Sequence, residues 1–326
     1  MKRSKSSEER RILSRVAVRR HVKILVFGAG AIGSLLGGLL SRENDVTVVG
    51  RKAHVDTINR RGLRISGRTT LLAWPTATTE APAGDLDAIF VTTKAYDTAN
   101  AVGALRAFWR RSVFVTLQNG LGNAEAVAAS VDRVVAGTTT HGVTFVAPGE
   151  IVHAGVGDTV VGPWKGVSRD DVRRIADVLT AAGIATTVTD DVARELWAKA
   201  VVNAAINPLT AVLRVPNGVL AAKADLRALV ERLAREGATA AKTAGVAVEP
   251  DALAAKAVEV ATRTAENRSS MLQDVERGGR TEIDAIAGAL LRAAEGHPLP
   301  YTEVVYALVK GLETRGDGTP PVRKPI

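Results

Sequence analysis

Two patterns of apolar and polar positions divide the chain. In the first half, short β-branched and aliphatic runs alternate with segments long enough for helices. The runs are Lys23–Phe27, Asp45–Val49, Ala88–Thr92, Ser112–Leu117 and Arg133–Gly137, and the helical segments include Ile32–Arg42 and Thr98–Trp109. This alternation predicts an α/β fold built on a mostly parallel, doubly wound sheet of the Rossmann type. His141–Phe145, Glu150–Ala154 and Thr159–Val161, joined by Gly and Pro turns, read as a β extension on that sheet, with Ile184–Thr187 a last edge strand. From Asp190 onward the β-branched runs fade. Asp190 or Asp191 can cap a helix whose apolar periodicity continues through Leu209, and Ala-, Leu- and Arg-rich helices fill most of residues 221–314. The second half therefore reads as an all-helical C-terminal domain. The expected division is a basic extension over 1–21, a nucleotide-binding domain over 22–189, a helical substrate and catalytic domain over 190–315, and a Gly/Pro-rich tail over 316–326.

Composition narrows the chemistry. The 326 residues include no Cys, which excludes disulfides, thiolate metal sites and a cysteine nucleophile. His21, His54, His141, His153 and His297 show no metal-ligand spacing, and no GxSxG elbow occurs, so metal centres and hydrolase templates are not supported. The net charge of +9 is concentrated in residues 1–21, where eight Lys/Arg stand against Glu8 and Glu9. That arm is either a solvated extension preceding the true start or a surface for nucleic acid or anionic lipid, and no nucleic-acid partner is expected of the body. Residues 24–41 form an uncharged stretch near transmembrane length, but five glycines within it divide it into strand, turn and helix, so no membrane span is expected. The body reads as cytoplasmic.

Gly28-Ala29-Gly30-Ala31-Ile32-Gly33 is GxGxxG placed after a strand and before a helix. In that context the glycines serve a tight turn, close backbone approach to a pyrophosphate, and close helix–strand packing, while the helix N-terminus attracts phosphate. A site for NAD would place Asp or Glu at the end of the second strand. Here the strand runs into Gly50-Arg51-Lys52, and a guanidinium beside an ammonium suits a 2′-phosphate, so NADP(H) is the expected cofactor.

Lys94 and Asn119 each follow a strand, where ligands of open α/β sheets bind; either could equally be a turn residue. Lys199, Asn203 and Asn207, spaced i, i+4 and i+8, form a polar stripe on an otherwise apolar helix. It is either functional or a structural hydrogen-bond ladder, and a desolvated lysine there can act as a proton donor near neutral pH. Asn267, Ser270 and Asp274 are expected on one helical face. Gly278-Gly279 then breaks that helix, and Thr281 is expected to cap the next. Glu282 either accepts from a substrate hydroxyl or suits that helix N-terminus.

These residues lie in motifs that, taken together and in order, resemble the ketopantoate reductase (2-dehydropantoate 2-reductase) family: GAGAIG (28–33), TTKAYDT (92–98), LQNGLGN (117–123), GTTTHGVTF (137–145), ELWAKAVVNAAINPLTAV (195–212), PNG (216–218), ENRSSMLQD (266–274) and GRTEID (279–284). The resemblance covers about Lys23 to Leu312. It implies NADPH-dependent reduction of 2-dehydropantoate to pantoate, a step toward pantothenate and coenzyme A. Carried over by motif, Lys199 would be the general acid, with Glu282 counted beside it as catalytic. Asn203, Asn207 and Glu282 would hold substrate hydroxyls, Ser270 the carboxylate, and Asn119 both cofactor and substrate. Lys94 would line the cleft, Gly28 to Gly33 would hold pyrophosphate, and Arg51 the 2′-phosphate, with Lys94, Asn119 and Glu282 also counted toward the cofactor. The helical domain would close over the nucleotide domain about residues 188–191. The family's chain usually starts near Val22 or Lys23, so the arm is expected to be dispensable for catalysis.

Two other readings stand beside this one: an NADP-dependent reductase of another branched 2-oxo acid, and a non-catalytic NADP(H)-binding regulator whose arm contacts nucleic acid. Apolar stripes on the helices of residues 221–265 suit either a homodimer interface or intramolecular core.

Overall fold

A computed structural model describes residues 21–313; the basic arm up to residue 20 and the tail beyond residue 313 lie outside the described residues. The α/β half runs β1 (Lys23–Phe27), α1 (Ala31–Leu40), β2 (Asp45–Val49), α2 (Lys52–Arg61), β3 (Leu63–Gly67), β4 (Leu71–Ala73), β5 (Thr76–Thr78), β6 (Ala88–Val91), α3 (Thr98–Ala104), β7 (Val113–Thr116), α4 (Asn123–Ala128) and β8 (Val134–Thr139). It continues through β9 (Gly142–Ala147), β10 (Glu150–Gly155), β11 (Thr159–Lys165), α5 (Arg169–Ala181) and β12 (Thr186–Val188). The helical half comprises α6 (Val192–Leu213), α7 (Asn217–Ala222), α8 (Ala224–Thr243), α9 (Pro250–Arg263), α10 (Ser270–Glu276), α11 (Ala287–Ala293) and α12 (Pro300–Glu313).

The main sheet has eight strands in the order β12-β11-β8-β7-β6-β1-β2-β5. Its centre is parallel, and only the β8/β11 pairing is antiparallel. β6 and β7 are buried at every position, as strands covered on both faces require. Order in the sheet reverses between β1 and β6, so the ends of β1, β6 and β7 open onto one crevice, the usual ligand position of such sheets.

One expectation about strands needs correction. β9 and β10 do not extend the main sheet; with β3 and β4 they form a separate four-stranded sheet, β4-β3-β10-β9. The chain leaves the main sheet after β8, makes that hairpin, and returns as β11. Residues 51–87 also contain α2 and three short strands, β3, β4 and β5, that the apolar pattern does not reveal. Each strand is only three to five residues long, too short to show a period of its own.

The helical half has its own apolar core around α6, formed by Val201, Ile206, Val230, Leu233, Ala257 and Leu290 among others. Asp191 caps α6 by accepting from the Arg194 N–H at 3.2 Å. Among the described residues α6 is the one helix long and apolar enough to cross a membrane. It is mostly buried and packs against α8, α9, α10 and β8, as the core helix of the domain. Residues 24–41 resolve into β1, a glycine turn and α1, the division expected from their glycines.

Candidate active site

The glycine turn is shaped to receive a dinucleotide. Gly28 has φ of +116°, and a Cβ on Gly33 would lie 2.1 Å from the Gly28 carbonyl oxygen and 2.6 Å from Thr92 Oγ1, so both positions exclude a side chain. A Cβ on Gly30 would meet nothing within 4 Å, leaving open space at the uncapped start of α1. Those free N–H groups and that space fit a pyrophosphate. Arg51 is exposed at the N-cap of α2, just past the end of β2, and its guanidinium has no ion-pair partner among the described residues. Lys52 pairs with Asp56 at 2.9 Å one turn along the same exposed helix, whereas Arg51 has no such partner among the described residues.

The loops after β6 and β7 are tied to each other. Gln118 Nε2 donates to the Thr93 carbonyl and to Thr98 Oγ1, both at 2.8 Å, while Thr98 Oγ1 donates to Asn123 Oδ1 and Asn123 Nδ2 donates to the Asn119 carbonyl, both at 2.9 Å. This network holds Lys94 and Asn119 at the crevice.

The helical half then closes against both loops. Lys199 Nζ donates to Asn119 Oδ1 at 2.8 Å and to the Thr139 carbonyl at 2.7 Å. Desolvation by burial lowers its pKa to about 8, although the Glu282 carboxylate pulls the other way. On the other side of the crevice Lys94 Nζ donates to Asp274 Oδ2 at 2.7 Å and to Glu282 Oε2 at 3.4 Å. Burial opposes its charge, but the carboxylates of Glu282 and Asp274 outweigh that and raise the Lys94 pKa. Burial likewise raises the Asp274 pKa against the pull of Lys94. Glu282 Oε1 accepts the Ala95 N–H at 3.0 Å, and the Leu121 N–H donates to the Ala285 carbonyl at 2.8 Å. Arg280 lies over the Tyr96 ring, 4.5 Å from its centroid.

Asn203 and Asn207 follow Lys199 along the same stripe of α6, as their spacing predicts. Their side-chain amides make no hydrogen bond among the described residues, so the stripe is not a hydrogen-bond ladder. It leaves donors and acceptors for a ligand beside Lys199. Ser270 is exposed at the first turn of α10, while Ser269 is the residue that caps that helix, accepting from the Leu272 N–H at 3.0 Å.

The downstream motifs depart from expectation in two ways. Asn267 precedes α10 instead of sharing its face with Ser270 and Asp274, because the chain turns there and the Asn217 N–H donates to the Asn267 carbonyl at 3.0 Å. Thr281 caps no helix: its N–H and hydroxyl both go to Glu313 Oε1, and α11 begins only at Ala287. Glu282 is therefore a buried carboxylate in a turn, 6% exposed, and helix-terminus preference does not explain it.

Sequence reasoning assigned no role to three features. Asp274 is the close partner of Lys94, the Thr139 carbonyl is an acceptor for Lys199, and Asn217 is a buried side chain whose Oδ1 has no partner among the described residues. Asp274 had a signal in its position on the ENRSSMLQD segment, while a backbone carbonyl leaves none.

A glycine turn at the reversal point of a doubly wound sheet, facing a buried lysine from a second domain, defines the class as a dinucleotide-dependent oxidoreductase with a small-molecule substrate. Family models carry this further. Residues 24–166 match "Ketopantoate reductase PanE/ApbA" and residues 191–313 match "Ketopantoate reductase PanE/ApbA C terminal". The chain is 38% identical over 303 residues to a 2-dehydropantoate 2-reductase of Pyrococcus horikoshii, covering 91% of this chain and 100% of that one. It is also 38% identical to the Halobacterium salinarum protein of the same name, covering 90% and 100%. Among solved structures, a PanE/ApbA family ketopantoate reductase from Ralstonia eutropha superposes with a TM-score of 0.82 at 28% identity, covering 91% of this chain and all of that one. D-Mandelate dehydrogenase with NADH shares the fold, with a TM-score of 0.85 at 23% identity over 91% of this chain and 100% of the other. The chain belongs to the ketopantoate reductase family and is an oxidoreductase.

Proposed function

We propose that the protein reduces 2-dehydropantoate to pantoate with NADPH, Lys199 giving the proton, as a cytoplasmic step toward pantothenate and coenzyme A. The observation that carries this is the Lys199 ammonium: buried, with a pKa brought to about 8, and aligned by Asn119 and Thr139 at the crevice. Bound NADPH supplies the hydride. Negative charge develops on the ketone oxygen as hydride arrives, so a donor near neutral pKa fixed in position is most useful there. Asn119 and Thr139 leave Lys199 one N–H to aim at that oxygen. The proton then passes from Lys199 Nζ to the oxygen, leaving a neutral amine whose burial is favourable.

Asn203 and Asn207 present unengaged amides one and two turns further along α6, suited to the substrate hydroxyls, with Glu282 as a further acceptor. A carboxylate has acceptor positions beyond those taken by Ala95 and Lys94. Ser270 would take the carboxylate, Lys94 would keep the crevice cationic for anionic ligands, and Gly28 to Gly33 with Arg51 would hold the pyrophosphate and 2′-phosphate. Three polar groups for hydroxyls favour a hydroxylated substrate over a simple branched 2-oxo acid, because an analogue would leave them unpaired at about 1–3 kcal/mol each.

The test is consumption of NADPH by the purified protein with 2-dehydropantoate, beside 2-oxoisovalerate and pyruvate. Rapid oxidation with the hydroxylated substrate alone is expected. Equal rates with 2-oxoisovalerate would favour the broader 2-oxo acid reductase, and no oxidation with any of the three would reject the reading.

A further inference from the structure

The GTTTHGVTF segment gives Lys199 the Thr139 carbonyl, and it also carries His141, which is 9% exposed. Thr140 and His141 are the link by which the chain leaves the main sheet for the second one, and residues 156–158 are the link by which it returns. The two links lie side by side. Thr140 N–H donates to the Asp158 carbonyl at 2.9 Å, Asp158 N–H donates to Thr140 Oγ1 at 2.9 Å, and Thr159 Oγ1 donates to Thr139 Oγ1 at 3.0 Å. Contact is so close that a Cβ on Gly157 would lie 2.3 Å from the Thr140 carbonyl carbon.

The His141 ring completes the crossing. Its Nδ1 meets His153 Nε2 at 2.9 Å and accepts the Gly157 N–H at 3.4 Å, while Thr69 Oγ1 meets His153 Nδ1 at 2.9 Å. The Gly157 N–H can only donate, so its contact with Nδ1 is made in the tautomer that carries the His141 proton on Nε2, and in that tautomer the chain of bonds runs from Thr69 through His153 to His141. That Nε2 is buried without a partner among the described residues. An apolar side chain would fill the space without leaving a donor unpaired, so the value of the imidazole lies in what Nδ1 accepts.

We propose that His141 is a positioning residue for Lys199: held by His153, it fixes through Gly157 the strand crossing whose Thr139 carbonyl orients the Lys199 ammonium. The inference rests on the reading of Lys199 as proton donor, and its test needs no substrate. A carbonyl acceptor favours the charged lysine, so releasing it lowers the pKa further.

The experiment is an NMR titration of the Lys199 side chain in the full-length protein, assigned with Lys199→Met, and repeated in His141→Leu, His141→Asn and His54→Leu. His141→Leu is expected to move the Lys199 midpoint down by about 0.5 pH unit or more. His141→Asn, whose Oδ1 takes the place of Nδ1 as acceptor, is expected to keep it near the wild-type value of about 8. His54→Leu removes a buried imidazole that packs on Phe145 and accepts the Gly149 N–H at the opposite, turn end of the same hairpin, and is expected to leave the midpoint alone. An unmoved midpoint in His141→Leu, or an equal shift in His54→Leu, would overturn the proposal. Should His141→Leu fail to fold, His153→Leu is compared with His153→Gln, which keeps the Nε2 donor. A downward shift in His153→Leu alone supports the proposal, and an unmoved midpoint in both overturns it. Failure of the wild-type protein to reduce any 2-oxo acid would count against Lys199 as proton donor, and this titration would still decide the role of His141.

Discussion

Two lysines stand at the crevice within the influence of Glu282, and their surroundings give them opposite properties. Lys94 meets two carboxylates, Asp274 and Glu282, which hold its pKa above the ordinary value. Lys199 meets one amide oxygen and one carbonyl, neither charged, and its burial brings the pKa to about 8. Both are cations at neutral pH. Only one can give up its proton readily, so the proposed reading gives Lys94 the part of fixed charge and Lys199 that of acid, on grounds of environment and not of residue type.

The largest expected effect breaks the pair on the acid side. Lys199→Ala should lower kcat by about 10²-fold or more in steady-state assays with NADPH and 2-dehydropantoate, because the interaction lost is made in the transition state. A loss confined to KM would reduce Lys199 to a binding residue. Arg51 sharpens the contrast by supplying a third cation, one without a carboxylate partner among the described residues. Arg51→Ala should cut the preference for NADPH over NADH by about 10-fold to 100-fold in kcat/KM, the worth of a charge-assisted contact.

Stability should separate the two lysines with opposite signs. Lys199 binds its proton more weakly in the folded chain than unfolded, so between about 8 and the ordinary 10.5 the unfolded chain holds more protons and stability rises with pH. Below that window the buried charge is destabilising, and Lys199→Met should gain about 1–3 kcal/mol at neutral pH by chemical denaturation. Lys94→Met strands two carboxylates and should lose about 1–3 kcal/mol, a figure kept low because that side chain is about one-third exposed. Equal signs for the two variants would refute the contrast.

The smallest expected effect lies on the acid side of neutrality. Burial lowers the pKa of His54, His141 and His153 below 6.5. The unfolded chain takes up protons near that value which the native imidazoles refuse. Their contribution is complete above about 6.5 and is lost as the pH falls through 6.5 toward the folded values. A denaturation series should show stability declining below about pH 6.5, and replacing His54 with Asn should flatten the slope.

What was readable in the sequence follows from how local each feature is. The strand, glycine turn and helix of residues 23–40 lie within one stretch, and periodicity reports them directly. The stripe of Lys199, Asn203 and Asn207 depends only on helical spacing, and α6 supplies it. β3 and β5 are held by pairing with β10 and β2, and β4 only by pairing with β3, so their short runs carry no period of their own. The Asn267 turn and the position of Glu282 depend on contacts with Asn217 and Ala95, far away in sequence. The Lys94–Asp274 pair joins residues from different domains, and only the fold brings them together. The pairing of His141 with His153, 12 residues apart on one hairpin, depends on the strand register and its bulge, which the strand-like runs do not specify.

The central claim is that Lys199 is the proton donor, and the most direct measurement is kcat against pH for the wild-type protein with NADPH and 2-dehydropantoate. A general acid titrating near 8 predicts a plateau at neutral pH and a tenfold fall per unit above about 8, with no second group from Lys94 until well beyond the ordinary lysine range. A kcat that stays level through that range would contradict it.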